Sequence, residues 1–252
     1  MTLRFLTAGE SHGPALTAIL EGFPAGVPLD KAVIQHALKR RQQGYGAGPR
    51  MKMETDEVRI LSGVMDGRTT GAPLAFLIEN RDHAHWQGKA VAAFTTPRPG
   101  HADLTGAVKY AYHDLRPALE RASARETAAR VVIGAVCSRL LAEFNIQVAG
   151  YVSAIGEITA DLTQIPLLQR AGIAESNDVR CPDIAALAAM QARIRKAMED
   201  RDTLGGIVEV IASGVPIGLG SYVQWDRRLD ARLGSALLSI PGIKGVEIGS
   251  AF

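Results

Sequence analysis

The stretch Ser123-Ala-Arg-Glu126 begins the clearest helical pattern in this chain of 252 residues. A serine followed three positions later by a glutamate is a capping box, in which the two side chains hydrogen-bond the free N–H groups of the first helical turn. Apolar residues follow at helical spacing on one side, namely Val131, Val132, Ala135, Val136, Leu140 and Leu141. The sequence therefore predicts a long helix from Ser123 with this side in the core.

Further strands and helices are predicted on both sides of this helix. Apolar runs predict strands near Leu3–Thr7, Val58–Val64, Leu74–Ile78, Val148–Ile158, Ile207–Ser213 and Lys244–Ile248. Other helices are predicted from a cap at Asp30 to about Gly44, after Pro182 through Met198, and near Leu229–Ile240. Long loops are predicted at Gly44–Arg50, Asn80–Asp103 and Asp161–Cys181.

The order of these elements favours an α+β fold over a doubly wound parallel sheet, because strands and helices do not alternate regularly. No segment rich in Ser, Gly or Pro divides the chain, so a single domain over residues 1–252 is predicted. The chain stops at Phe252 directly after a strand-like segment, which fits a natural ending or a truncated reading frame equally well.

The composition is that of an ordinary globular protein, with 47% hydrophobic and 21% charged residues. A net charge of +2 gives no reason to expect nucleic-acid or membrane partners. Two cysteines are too few for a disulfide framework. Because we find neither a signal peptide nor an apolar run long enough to span a bilayer, a cytoplasmic protein is expected.

Two stretches of the chain contain basic residues and no acidic ones. They lie between Asp30 and Glu54 and between Asp82 and Asp103. They indicate either a site for a small polyanion or two solvated faces.

Two histidines lie in loops that contain glycine. His12 is in Gly9-Glu-Ser-His-Gly13, where the glycines allow the backbone to approach a ligand closely. His101 is in Arg98-Pro-Gly-His-Ala-Asp103. Histidine exchanges protons near neutral pH, so both are candidates for acid–base catalysis. Alternatively, His12 only hydrogen-bonds its own loop. Asp103 either orients His101 or caps a helix that follows from Thr105.

Arginines near these loops suit phosphate or carboxylate groups. Arg98 offers the planar donor fork that such anions accept. Arg121 and Arg125 lie within one turn of the predicted helix start at Ser123, where free N–H groups also attract anions. An ordinary capped helix with arginines facing solvent is the alternative.

Two other segments carry weaker signals. Gly44-Tyr-Gly-Ala-Gly-Pro-Arg50 lacks the Gly-Lys-Ser/Thr of a nucleotide P-loop and follows a helix instead of opening one. His83-Ala-His85 has no third ligand at a suitable spacing, so no metal site is predicted.

Taken together, these segments resemble the chorismate synthase family. Three of them match its signatures: Thr7-Ala-Gly-Glu-Ser-His-Gly-Pro14, Arg98-Pro-Gly-His-Ala-Asp103 with Lys109-Tyr110, and Arg121-Ala-Ser-Ala-Arg-Glu-Thr-Ala128. Further matches are Arg40-Arg41-Gln-Gln-Gly-Tyr-Gly46, Leu61-Ser-Gly63 with Thr69-Thr-Gly-Ala-Pro73, Asp202-Thr-Leu-Gly-Gly206 and Lys244-Gly-Val-Glu-Ile-Gly249. They occur in the family's order along the whole chain.

The resemblance implies the conversion of 5-enolpyruvylshikimate 3-phosphate to chorismate and phosphate in the shikimate pathway. This reaction is a 1,4-anti elimination that has no net redox change and yet requires reduced FMN. The resemblance also implies a layered sandwich of β-sheets and helices, incomplete at the C-terminus in this chain, and a homotetramer of the full-length protein.

The resemblance further implies roles for individual residues. His12 would protonate the reduced flavin, and His101 would protonate the leaving phosphate. The substrate would be held by Ser11, Arg41, Arg50, Arg98 and Arg125. The contacts to FMN would be made by Arg121, Ala122, Ser123, Pro241 and Gly242. Arg41 also matches an NADP position in bifunctional members, which reduce their own flavin with NADPH.

The chain departs from the family in two places. Ala47 stands where the family has an arginine, which removes a cation from the substrate and NADP region. The family also continues beyond Phe252, and that part carries further flavin and substrate ligands and an aspartate thought to act as a base. A truncated, impaired fragment that retains partial flavin and anion binding is therefore the alternative to an active enzyme. A phosphate-sensing or nucleotide-binding module is a third, which the order and number of the motifs disfavour.

Overall fold

The structure is a computed structural model that describes residues 3–249, with Pro49 and Lys52 described by their backbone alone. Its strands are β1 (Arg4–Ala8), β2 (Ala15–Glu21), β3 (Val58–Ser62), β4 (Val64–Met65), β5 (Arg68–Thr69), β6 (Leu74–Glu79), β7 (Gln147–Ile155), β8 (Ile158–Thr159) and β9 (Gly206–Ser213). Its α-helices are α1 (Lys31–Gln42), α2 (Pro49–Met53), α3 (His83–Trp86), α4 (Asp103–Tyr110), α5 (Arg116–Arg121), α6 (Thr127–Ala142), α7 (Leu167–Ala174), α8 (Leu187–Asp200) and α9 (Leu229–Leu238). Two 3-10 helices lie at Ala124–Glu126 and Trp225–Arg227.

The chain folds into two compact units. The first contains the chain up to Leu38, Met53–Val136 and the chain from Pro216, and the second contains Lys39–Lys52 and Cys137–Val215. The prediction of one family domain over residues 1–252 stays a prediction. Within residues 3–249, no helix is both long enough and apolar enough to cross a membrane.

The first unit is built on an antiparallel sheet with the strand order β1-β2-β6-β3. Strand residues alternate between the two faces of a sheet, so the pairing of β2 with β6 lines up apolar side chains on one face. Three facing pairs form this side: Leu20 with Leu74, Ala18 with Phe76, and Leu16 with Ile78. All six side chains are at most 2% exposed and form a large part of the core.

Helices complete the core of the first unit. Ile34 and Leu38 of α1 are fully buried. In α6, Val132, Ala135 and Val136 are buried, which confirms the central part of the predicted apolar side. Its other members, Val131, Leu140 and Leu141, are only half-buried.

The second unit contains the antiparallel sheet β8-β7-β9. Strand β7 pairs with β9 from Gln147 to Ile155, with a register shift between Val152 and Ala154. A small core lies beside this sheet and consists of Ala160, Val179, Cys181 and Met190, against which Tyr45, Ile155 and Leu187 pack.

Most of the predicted elements are present, and the mixed α+β composition is confirmed. The prediction of a strand at Lys244–Ile248 is wrong, since this segment is irregular and has no ladder partner among the described residues. The loop predicted at Asp161–Cys181 contains α7, whose N-cap is Pro166, a residue tolerated where a helix begins. The loop predicted at Asn80–Asp103 contains the short helix α3. The predicted ending at Phe252 lies outside the described residues.

Two of the described strands were not predicted, the two-residue β5 and the longer β2. Strand β2 follows the glycine-rich loop directly, and its alternating Leu16, Ala18 and Leu20 are the signal that could have identified it.

Ile34→Ala is expected to lower the free energy of unfolding by about 2–5 kcal/mol, because it leaves a cavity in the core of the first unit. Val33→Ala is the matched control, since Val33 lies next to it in α1 and is exposed. Urea unfolding followed by circular dichroism measures both changes. Equal losses of stability in the two variants would contradict this account of the core.

Candidate active site

The loop Gly9–Gly13 joins β1 to β2 and contains Ser11 and His12. Gly9 has φ +111°, and a Cβ atom there would lie 2.4 Å from the carbonyl oxygen of Ala15. Only glycine fits this position, so the sharp turn after β1 is fixed by the backbone. Ser11 is buried and His12 is half-buried.

Glu120, near the end of α5, holds this loop by three hydrogen bonds. Its carbonyl oxygen accepts from the backbone N–H of Ser11 at 3.1 Å. Its carboxylate accepts from the backbone N–H of His12 at 2.7 Å and lies 2.7 Å from His12 Nδ1. Glu120 was not among the predicted site residues, and its position directly before the Arg121–Ala128 signature was the one available signal.

The other side of the His12 ring faces α3 and the residue before it. Asp82 Oδ2 lies 3.7 Å from His12 Nε2, and the ring of Trp86 lies 4.6 Å from the imidazole. His83 Nδ1 lies 2.9 Å from the carbonyl oxygen of His12, and His85 Nδ1 lies 3.6 Å from Asp82. In the described part of the chain, no three His, Cys, Asp or Glu side chains are placed to hold a metal ion.

Arg125 is the centre of a buried ionic network. Its Nη1 donates to Asp56, its Nε donates to Asn80 Oδ1 at 2.8 Å, and its Nη2 lies 3.7 Å from Glu54 Oε2. All four side chains are buried. A charge removed from water is stable only when it is paired and hydrogen-bonded, and the two carboxylates and the amide meet this requirement. The predicted substrate ligand Arg125 thus already contacts two carboxylates, and its role toward substrate stays a prediction.

Asn80 connects this network to the His12 loop. Its Nδ2 donates to the carbonyl oxygens of Glu10 at 3.1 Å and Gly13 at 2.8 Å, while its Oδ1 accepts from Arg125. The backbone groups of the loop are therefore hydrogen-bonded by Glu120 of α5 on one side and by Asn80, which follows β6, on the other.

Ser123 also contacts the loop, because its Oγ donates to Ser11 Oγ at 3.0 Å. It accepts from the N–H of Arg125 as the N-cap of the 3-10 helix. The predicted capping box is nevertheless wrong, since the Glu126 carboxylate accepts instead from Thr7 Oγ1 and Arg130 Nε. The 3-10 helix Ala124–Glu126 follows Ser123, and α6 begins at Thr127, four positions after Ser123.

The remaining predicted flavin ligands of the first unit are exposed. Arg121 donates to the carbonyl oxygen of Thr7 at 2.9 Å and to its Oγ1 at 2.8 Å. Ala122 is the C-cap residue of α5. Pro241 and Gly242 lie in a turn after α9, where Gly242 has φ +92°.

The second histidine loop is held by an ion pair. Arg98 Nε and Nη2 donate to the two carboxylate oxygens of Asp103 at 2.9 and 3.0 Å. These hydrogen bonds lower the pKa of Asp103 and raise the pKa of Arg98. His101 is exposed, and its Nδ1 lies 2.9 Å from the carbonyl oxygen of Pro99.

The capping role predicted for Asp103 is wrong. The N-cap of α4 is Ala102, so Asp103 lies inside the first turn and is not the cap. Its carboxylate is fully buried and bonded to Arg98, and His101 Nδ1 contacts the carbonyl oxygen of Pro99, so an orienting role of Asp103 toward His101 stays a prediction.

The predicted ligands Arg41 and Arg50 belong to the second unit. Arg41 lies in the last turn of α1, 3.9 Å from the sulfur of Met51, and Arg50 lies in α2. An open cavity of about 470 Å³ in this unit is lined by Gln42, Tyr45, Ala47, Met51, Asp178 and Arg195, among others. The family's arginine at the position of Ala47 would add a cation to its wall.

The structure thus brings together four predicted site residues. Ser123 is hydrogen-bonded to both Ser11 and Arg125, and Asn80 links Arg125 to the loop that contains His12. Arg98 and His101 share a separate loop of the same unit, which the Asp103 carboxylate holds.

Comparison with known proteins gives consistent matches. A family model described as chorismate synthase matches residues 3–252. A chorismate synthase of Symbiobacterium thermophilum is 54% identical over 268 residues, which cover 99% of this chain and 68% of that protein. One of Brevibacillus brevis is 52% identical over 261 residues, which cover 99% of this chain and 67% of that protein.

A solved structure described as a crystal structure of chorismate synthase has a TM-score of 0.85 and 46% identity, and the match covers 100% of this chain and 70% of that one. The predicted fold of this family is therefore confirmed. The chain spans about two thirds of the length of these relatives.

Asp103→Asn is expected to destabilise the protein at neutral pH, and the loss is expected to shrink in acid. The pKa of Asp103 is lower in the folded state, so its contribution is fully present above the unfolded pKa of about 3.9 and is lost as pH falls through the folded value. Urea unfolding of both proteins between pH 3 and 7, with the exposed Asp226→Asn as control, measures the difference. A difference that is constant with pH would contradict the ion pair.

Asn80→Ala is expected to lower the free energy of unfolding by roughly 2–4 kcal/mol, because Arg125 and two loop carbonyls lose a buried partner. The exposed Gln164→Ala is the control. Hydrogen exchange of the amides of residues 10–13 should also become faster in Asn80→Ala. Unchanged exchange would show that Asn80 does not hold the loop.

Proposed function

Because the chain belongs to the chorismate synthase family, we propose that it eliminates phosphate from 5-enolpyruvylshikimate 3-phosphate to give chorismate. The observation that carries this proposal in the structure is the His12 loop. It presents a half-buried imidazole between two carboxylates, beside the Ser11–Ser123 hydroxyl pair.

The reaction breaks a C–H bond and the C–O bond to phosphate, and a new C=C bond forms. The electrons of the C–H bond end in the diene, the C–O electrons leave with phosphate, and the proton must be taken up. Such a reaction requires a base that accepts the proton from carbon, a group that protonates the leaving phosphate, and cations that hold the substrate anions.

Reduced FMN is the cofactor that the family implies, and the residues present fit it. An FMN phosphate and the polar edge of its ring system require cations and hydrogen-bond donors, which the exposed guanidinium of Arg121 offers. Ser123, whose hydroxyl donates to Ser11, is assigned to FMN on the basis of the family. Ala122 and the exposed Pro241-Gly242 turn provide uncharged contact surface. When bound, reduced FMN would supply a reducing centre to an elimination that has no net redox change.

The two histidines are proposed as the proton donors. With Nδ1 bonded to Glu120, His12 exchanges its proton at Nε2. With Nδ1 bonded to the carbonyl of Pro99, exposed His101 likewise keeps Nε2 for the leaving phosphate.

The substrate anions are proposed to bind arginine side chains. The Arg98 side chain is 41% exposed although it is paired with Asp103, so it remains accessible to a phosphate oxygen. Arg125 is buried, and we assign it to the same anion site. It also contributes by holding Asn80, which in turn positions the His12 loop. Ser11, Arg41 and Arg50 complete the proposed set.

The family further supports three proposals for this chain. They are assembly as a homotetramer, location in the cytoplasm, and use of NADPH at Arg41 if the protein reduces its own flavin. Neither nucleic acid nor membrane is proposed as a partner.

The test of the proposed function is anaerobic incubation with 5-enolpyruvylshikimate 3-phosphate and excess reduced FMN, with chorismate followed directly. Turnover on the order of 1 per second, absent with oxidised FMN, is expected. Failure of the folded protein to form chorismate would refute the proposed activity.

His12→Ala and His101→Ala are each expected to lower kcat by about 10²–10⁴-fold, because each removes a positioned proton donor. His36→Ala is the matched control, since His36 is exposed on α1 and has no proposed role. Retention of full kcat in either site variant would remove that histidine from the mechanism.

A further inference from the structure

Glu120 is placed rigidly by its own helix. Helix α5 has proline at its start, and its N-cap residue Leu115 is buried. The Glu120 side chain is only 11% exposed, so its carboxylate has little room to move. The carbonyl oxygen of Glu120 accepts from the backbone N–H of Ser11, so both the main chain and the side chain of Glu120 are bonded to the loop.

The two carboxylate oxygens contact two different parts of His12. One accepts from its backbone N–H and the other lies at hydrogen-bond distance from Nδ1, each at 2.7 Å. This double contact fixes the ring relative to its own main chain. An ionised carboxylate can only accept hydrogen bonds, so Nδ1 must carry a proton. Neutral His12 is then the Nδ1–H tautomer, and the proton that it gains or loses is on Nε2.

The remaining neighbours of the ring are consistent with this arrangement. Nε2 lies 3.7 Å from Asp82, and Asp82 also accepts from Trp86 Nε1 at 3.1 Å, which keeps the indole beside the imidazole. His83 contacts the His12 carbonyl. Glu120, Asp82 and His83 are thus titratable groups that face His12.

We propose that Glu120 is a positioning residue of the reaction, which holds His12 in the Nδ1–H tautomer and leaves Nε2 as the proton-transferring atom. The same division of roles, in which a carboxylate orients a histidine that exchanges protons at its other nitrogen, is found in acid–base sites of unrelated folds. The effect on turnover rests on the proposed function, whereas the effect on the His12 tautomer does not.

The direct test is the ¹⁵N spectrum of the histidine rings in the full chain. Among the six histidines, the signals of His12 are assigned by their loss in His12→Gln. Wild-type His12 should be protonated at Nδ1 when neutral, and Glu120→Gln should shift it toward the Nε2–H tautomer. Glu57→Gln is the matched control, because Glu57 is exposed in the same unit and pairs with Lys31. A neutral Nε2–H tautomer in the wild type, or no change in Glu120→Gln, would overturn the proposal.

The kinetic test separates positioning from binding. Glu120→Gln should lower kcat about 10- to 100-fold, a part of what a positioned acid contributes, with KM within about twofold. Glu120→Asp should recover part of this loss and also carries the test if Glu120→Gln does not fold. Full kcat in the folded variants would overturn the positioning role. A tautomer shift in Glu120→Gln together with a wild type that forms no chorismate would support the positioning of His12 and refute only the proposed activity.

Discussion

The first unit depends on one buried cation. The guanidinium of Arg125 is removed from water, and it is stable there because Asp56, Glu54 and Asn80 face it. The partners come from two other segments of the chain, since Glu54 and Asp56 lie just before β3 and Asn80 directly follows β6. The segment before β3, the end of β6 and the start of α6 must therefore meet at one point, because leaving out any of them would expose a charge to an apolar interior.

This requirement explains why a catalytic candidate on a loop is held so firmly. Asn80 transmits the position of Arg125 to the carbonyls of Glu10 and Gly13, and Glu120 fixes the N–H groups between them. Loops that carry functional residues are usually more mobile than the helices and strands they connect. Here, residues from two other segments hydrogen-bond the backbone of the loop. In the His12 loop, polar groups from neighbouring elements thus replace the ladder hydrogen bonds of a strand.

The sequence predicted the elements with strong local signals and missed the long-range pairs. Alternating apolar residues located β6 and β9, and motifs identified Ser11, His12 and Arg125. Glu120 and Asn80 were not predicted, because they bond residues 108 and 67 positions away in the chain and no local pattern reports such pairing. Lys244–Ile248 was wrongly predicted as a strand, since periodicity shows which residues are apolar and not whether a partner strand exists. The Ser123–Glu126 pattern is typical of a capping box. The Glu126 carboxylate instead accepts a hydrogen bond from Thr7, which lies 119 positions away in the chain.

The long separation between the partners of the His12 loop has a consequence for how the protein folds. Closing contacts between residues 67 to 112 positions apart costs chain entropy before any stabilisation is gained. The hairpin of β1 and β2 brings together near neighbours and can form early, whereas the histidine acquires its partners only when α5 and the end of β6 have docked. The site should thus be among the last parts to assemble and among the first to be lost on partial unfolding. Amide exchange at residues 10–13 would then report the intactness of the whole unit.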